Sequence, residues 1–250
     1  MGEIRLEMTK MRRLHVVPLT LILLVSAIPI VALSLFAPGA VSRLNDPHAL
    51  PWGQPLLNFA FANALIHPIL VAVLASRQID IEHSSGGWFL NATTGRTPGM
   101  LCRMKFFALA AVVIPATFVQ TGAVVALGLV AGVRVPLDVP MWSWYVVSLV
   151  LVDTVLLAFH IWLSVVCENQ LASVGTGLVG GFIALYMFLA PSVARVIPWG
   201  YYAVITPVAM AAGSDGLVPA LPPWPWLIGL VLLGAAAFDR CTKRLDRVER

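Results

Sequence analysis

Charge is scarce in this chain. Asp, Glu, Lys and Arg together make up 11% of its 250 residues, against about a quarter in a typical soluble domain. Lysine occurs only at Lys10, Lys105 and Lys243, and none follows a glycine. The sequence therefore holds no G-x-x-x-x-G-K-[ST] phosphate loop. It also lacks G-x-S-x-G and H-E-x-x-H; Gly213-Ser214-Asp215-Gly216 imitates a nucleophile elbow with its glycine one position off. The three cysteines, Cys102, Cys167 and Cys241, have neither metal-site spacing nor the density of a disulfide scaffold. No His, Asp or Glu grouping has metal-ligand spacing, so no metal site is expected. The two halves share no internal repeat, which gives no support to inverted-repeat carriers. These absences exclude an ordinary soluble enzyme and leave no visible catalytic set.

What the chain has instead is hydrocarbon. Hydrophobic residues make up 59% of it and the mean hydropathy is +0.89. A soluble globule of this length could not bury that much apolar surface and still clothe its exterior, so lipid is expected as the main solvent. With about 20 residues per span, the apolar runs predict six: residues 16–36, 56–75, 106–133, 142–166, 172–190 and 224–238. The first, 21 residues long, exceeds the roughly 7–15 residues of a signal-peptide core and reads as an uncleaved span. Residues 191–223 are apolar but cut by Pro198, Pro207, Gly213 and Gly216. They read as re-entrant or interfacial helices, tolerated at membrane depth where protein or water covers the backbone. The expected fold is a single all-α polytopic membrane domain over residues 1–250.

The few charges give an orientation. Arg5, Lys10, Arg12 and Arg13 precede span 1. Arg77, Arg96, Arg103 and Lys105 follow span 2, and Arg240, Lys243, Arg244, Arg247 and Arg250 follow span 6. Only Arg43, Arg134 and Arg195 fall on the other face. This asymmetry predicts both termini in the cytoplasm and an even number of spans. The formal charge of +4 is a topology signal, and no nucleic-acid partner is expected. The sequon Asn91-Ala92-Thr93 falls on the cytoplasmic side, where it goes unused.

Four features go beyond hydrophobicity. Along residues 2–14 and just beyond, Ile4, Met8, Met11 and His15 recur at helical spacing among charged neighbours, including Arg5, Lys10, Arg12 and Arg13. That pattern is either an amphipathic helix in the headgroup plane or a plain topogenic cluster. The loop 77–105 carries Asp80, Ile81, Glu82 and His83, then Trp88, Phe89 and Leu90. A connector has no need of such aromatics, so they form a docking surface or rest among headgroups. Asp80 and Glu82 can pair with a partner or with Arg103 and Lys105. In span 5, Ser173, Gly177 and Gly181 make a small-residue ridge for close helix approach, to another copy or within the chain. In span 4, Asp153 and His160 share a face. An intramembrane carboxylate marks a proton or substrate path, or a structural pair; Asn58, Asn63 and His67 in span 2 and Gln120 in span 3 are the candidate partners.

The helix at 3–13, the segment from Ile81-Glu82-His83 through Trp88, Arg96, Arg103 and Lys105, and the broken stretch before the last span together resemble the permease subunit of a type-2 ABC exporter. The resemblance extends to the permeases of lantibiotic and bacteriocin self-protection transporters. It implies a multi-pass protein of the bacterial cytoplasmic membrane that pairs with a second permease, identical or paralogous. Separate P-loop ATPase subunits would hold ATP and Mg, with no cofactor in this chain. Asp80, Ile81, Glu82, His83, Trp88 and Phe89 would form the surface coupling to that motor, and 239–250 a cytoplasmic tail. Ser173, Gly177 and Gly181 would face the second permease. The cargo would be an amphipathic peptide or hydrophobic drug, exported from the membrane. The resemblance departs at Gly86-Gly87, which makes one continuous coupling helix doubtful. A proton-coupled carrier using Asp153 and His160 is the competing expectation.

Overall fold

The computed structural model describes residues 2–40, 44–46, 50–210 and 216–248. Arg43, Arg250 and residues 213–215, all singled out above, lie outside the described residues. The chain is mostly helical, in the order α1 (Gly2–Arg13), α2 (Val16–Val25), α3 (Ala27–Leu35), α4 (Gly53–Ser84), α5 (Gly87–Thr93), α6 (Pro98–Val130), α7 (Val139–Val166) and α8 (Gln170–Tyr186). The short helices α9 (Pro191–Ala194) and α10 (Tyr201–Val204) and the strands β1 (Val208–Met210) and β2 (Leu217–Pro219) follow, then α11 (Trp224–Val248).

Among the described residues, five helical stretches are long and apolar enough to cross a membrane: Val16–Leu35, α4, α6, α7 and most of α11. The first is not the uninterrupted span expected for 16–36. It turns at Ser26, three residues before Pro29, which has no N–H to offer the helix ladder. The fifth expected span is α8, 17 residues and shorter than the other crossings. Both α4 and α6 outrun their apolar cores. At 1.5 Å per residue the 32-residue α4 is about 48 Å long, well beyond a hydrocarbon layer of about 30 Å. The expected cytoplasmic loop 77–105 is accordingly not a loop but the end of α4, the short α5 and the start of α6. The tail after 238 likewise continues α11 to Val248.

The segment 191–223 corrects the all-α expectation. Alongside α9 and α10 it holds a small antiparallel hairpin, with Val208 opposite Pro219 and Met210 opposite Leu217. Proline at 207, 219, 222 and 223 denies the segment helix-ladder donors. The hairpin sits against the start of α4, where a Cβ on Gly53 would lie 3.4 Å from Leu217 and 3.6 Å from Val208.

The centre of the bundle is α4, whose most apolar stretch is 78% buried against 11% for that of α11. Near the hairpin end its partners are aromatic: Phe59 stacks on Trp142 at 6.2 Å and meets Tyr145 edge-on at 5.8 Å. The Trp52 indole donates to the Val135 carbonyl at 2.9 Å, and its ring fills the space a side chain on Gly128 would need. At the opposite end lie α1, the end of α4, α5, the start of α6 and the end of α11. Both the first and the last described helix thus reach one end of the bundle.

Candidate functional site

Two polar assemblies interrupt this apolar bundle. The first lies at the end rich in basic residues. It begins with Lys105 on the first turns of α6, a side chain with no exposed surface. Its ammonium has three hydrogen bonds to give and finds three acceptors: Glu7 Oε2 at 3.0 Å, Glu82 Oε1 at 2.8 Å and the Gln78 carbonyl at 2.9 Å. Lys10 lies 2.9 Å from Glu7 Oε1 and 2.7 Å from Glu82 Oε1. Two ammonium groups thus face two carboxylates, which is the condition for burying charge at tolerable cost. Gln78 donates to Glu7 at 3.0 Å, and Asn91 of α5 donates to Glu82 Oε2 at 3.1 Å. Burial alone would lower the Lys10 pKa, but its hydrogen bonds to Glu82 and Glu7 and their charges outweigh that and raise it. The cluster fastens α1, α4, α5 and α6 to one another.

The geometry rearranges the expected docking surface. Glu82 is buried rather than presented outward. His83 turns its Nε2 to the Ser164 carbonyl of α7 at 3.1 Å, and Trp88 donates to His83 Nδ1 at 3.2 Å. Asp80 and Ile81 are half-buried. What faces outward is Phe89, 78% exposed, with Leu90 beside it at 67%. The chain reverses at Gly86, whose φ of +65° suits glycine, and Gly87 lies so close to Glu82 that any added Cβ would meet its Oε2. The expected interruption at Gly86-Gly87 is therefore a sharp corner that returns α5 over the end of α4.

In α1, Glu7 and Met11 form the inward face, while Met8, Arg12 and Arg13 are exposed. Arg5 lies on the same helix. The tail of α11 is fastened separately: Arg103 pairs with Asp246 at 3.1 Å and donates to Thr242 at 2.9 Å, and the Gly99 amide donates to Asp246 at 2.8 Å. Of the two basic partners expected for the acidic pair, Lys105 takes Glu82, and Arg103 goes to Asp246.

The second assembly is enclosed between the spans. Asp153 is buried and joins His67 Nδ1 at 2.7 Å through one oxygen; through the other it accepts from the Tyr202 hydroxyl at 2.8 Å. Gln120 donates to the Leu24 carbonyl at 3.0 Å and to Asn63 at 3.2 Å, which fixes its amide orientation and leaves its oxygen toward His67 Nε2 at 3.3 Å. Nε2 must then carry a hydrogen. With a second hydrogen between Nδ1 and Asp153, the His67–Asp153 pair has no net charge wherever that hydrogen rests. Asn63 completes the chain by donating to Tyr145 at 3.1 Å. The network gathers α2, α4, α6, α7 and α10.

Asn63, His67 and Asp153 are brought together, but the expected Asp153–His160 association does not form. His160 points to α8, where Nδ1 lies 3.1 Å from Ser173 Oγ. Asn58 stays outside the network and accepts from Gln54 at 3.2 Å. The small ridge of α8 is occupied within the chain. A Cβ on Gly177 or on Gly181 would lie 2.7 Å from the Pro68 or Leu65 carbonyl of α4, and Ser173 is buried against His160 of α7, so the ridge is filled within the chain and leaves no room there for a second permease. Glu7, Asn91, Tyr145, Tyr202 and Asp246 were not anticipated. A hydroxyl on an otherwise apolar helix face is a signal that could have marked the two tyrosines.

Among the described residues no group of three His, Cys, Asp or Glu side chains is placed to hold a metal ion. Long apolar helices around internally neutralised charge define a multi-pass membrane protein. Its sequence from residue 3 to residue 184 matches the ABC-2 family transporter proteins, and the chain belongs to that family. Such proteins are the membrane component of a transporter and normally work with a partner ATPase subunit. No curated protein sequence matches the chain significantly.

Proposed function

We propose that this chain is the permease subunit of an ATP-driven exporter in a bacterial cytoplasmic membrane. ATP and Mg bind a separate P-loop subunit. The observation that carries the reading is the α5 corner: an exposed Phe89–Leu90 pair is mounted on a helix whose root is tied by Glu82, Lys105, Lys10 and Glu7 to α1, α4 and α6. A push on Phe89 and Leu90 is delivered through those four charges to two long spans and to the N-terminal helix. Asp80 and Ile81 border the contact, while Glu82, His83 and Trp88 brace it from behind.

In this reading α8 also crosses the membrane, as the fifth of six spans, and both termini are cytoplasmic. The positive-inside asymmetry and the meeting of α1 and the end of α11 at one end of the bundle support it. The described residues of 191–223 form a cap on the outer side. The helix α1 lies in the headgroup plane, with Arg12 and Arg13 toward anionic lipid. A second permease, identical or paralogous, completes the pathway. It docks on a face other than the Ser173–Gly177–Gly181 ridge. The cargo class, an amphipathic peptide of lantibiotic type or a hydrophobic drug, rests on the resemblance of the 81–105 segment. The test is Phe89→Asp with Leu90→Asp. Both side chains are exposed, so the variant should insert and melt like the wild type while losing its ATPase partner in copurification. Undiminished recruitment would refute the docking role.

A further inference from the structure

A cavity of about 780 Å³ runs between α7, α11 and the 195–201 segment. Phe159 and Trp162 of α7 form one wall, and Trp226, Leu233 and Cys241 of α11 lie along the other. From Trp226 to Cys241 the helix rises about 22 Å, more than half of a hydrocarbon layer of about 30 Å. That length and volume accommodate a hydrocarbon chain laid along α11. The groove's lining holds a single charged residue, Arg195, at the Trp226 end.

Arg195 stands over the Trp226 ring, its guanidinium carbon 5.7 Å from the centroid, and among the described residues no carboxylate pairs with it. The stacking holds the planar group in place while leaving its N–H donors free for an anion. Trp226 and Trp224 are about half exposed, as befits aromatics at the level of lipid headgroups. An apolar slot with one uncompensated cation at its rim complements an amphiphile with an anionic head and a long chain.

We propose that this groove binds an anionic membrane phospholipid, its phosphate on Arg195 and an acyl chain along α11 toward Cys241. The site needs neither the ATPase partner nor the export reading. Gly229 lines the groove with nothing within 4 Å of the position a Cβ would take, so a bulky side chain there fills the slot without disturbing the backbone. The test is native mass spectrometry of the full chain released from nanodiscs of equal phosphatidylglycerol and phosphatidylcholine.

The wild type should retain phosphatidylglycerol preferentially. Arg195→Gln should lose about tenfold of that preference, the scale of one charge-assisted contact, and Arg195→Lys should keep most of it. Gly229→Phe should lose both lipids while melting as the wild type does. Equal retention of the two lipids by the wild type would overturn the proposal, as would unchanged retention in Arg195→Gln or Gly229→Phe. Efficient Leu233→Cys cross-linking between two chains in the membrane would overturn it as well, because a second copy would then occupy the groove.

Discussion

Replacing Lys105 by Met tests whether the four-charge cluster is the joint described above. Met preserves much of the volume but removes the only ammonium that reaches Glu7, Glu82 and the Gln78 carbonyl together, at 3.0, 2.8 and 2.9 Å. Two carboxylates with almost no exposed surface are then left to Lys10, whose side chain is 22% exposed. Breaking a buried pair from one side costs about 3–5 kcal/mol, because the abandoned charge stays buried. We expect Lys105→Met to lose stability in that range.

The decisive comparison adds Glu7→Gln. Alone it leaves two ammonium groups to one carboxylate; combined with Lys105→Met it leaves Lys10 facing Glu82, a balanced pair. The double variant should therefore lose less than the sum of the singles, by about 1–3 kcal/mol. Unfolding of the detergent-solubilised chain, followed by circular dichroism, gives all four corners of the cycle. Additivity within about 0.5 kcal/mol, or a Lys105→Met loss below about 1 kcal/mol, would refute the joint.

Further expectations follow from the same geometry. Asp153→Asn removes the acidic group but keeps an oxygen for Tyr202, so it should insert and retain transport in a vesicle uptake assay; abolition of uptake by a change of proton gradient in the wild type, together with loss in Asp153→Asn, would instead favour proton coupling. Gly177→Leu drives a side chain into the Pro68 carbonyl and should separate α4 from α8, with a loss of about 1–3 kcal/mol or more in thermal unfolding. The pKa of Lys10 is raised in the folded chain, so its stabilisation is complete below the ordinary value of 10.5 and is lost as pH climbs through the folded value. The stability gap between wild type and Lys10→Met should therefore be constant across neutral pH and narrow only in strong alkali.

Much of the architecture was legible because the bilayer demands long apolar runs. Residues 56–75 and 142–166 fall wholly within α4 and α7, and 106–133 overruns the end of α6 at Val130 by three residues. Their true ends were not legible, since α4 and α6 continue through residues such as Gln78, Glu82 and Lys105 that read as loop until their partners are known. Helical spacing put Asp153 and His160 on one face of α7, but spacing names a face and not a neighbour. The small ridge of α8 draws His160 to Ser173, and α4 brings His67 to Asp153 from 86 positions away. The Ser173–Gly177–Gly181 pattern announced a close helix contact; only the packing of α4 against it decided that the contact is internal. The pairing of β1 with β2 was missed because the strands are three residues long, too short for any alternation to show.

Phe89 and Leu90 are proposed to receive the stroke of a partner ATPase. The most direct measurement reconstitutes the chain in vesicles with its P-loop partner and follows ATP hydrolysis. The wild-type chain should change the partner's rate, and Phe89→Asp with Leu90→Asp should abolish the change at unchanged insertion. A hydrolysis rate indifferent to the chain, or to that double substitution, would contradict that role.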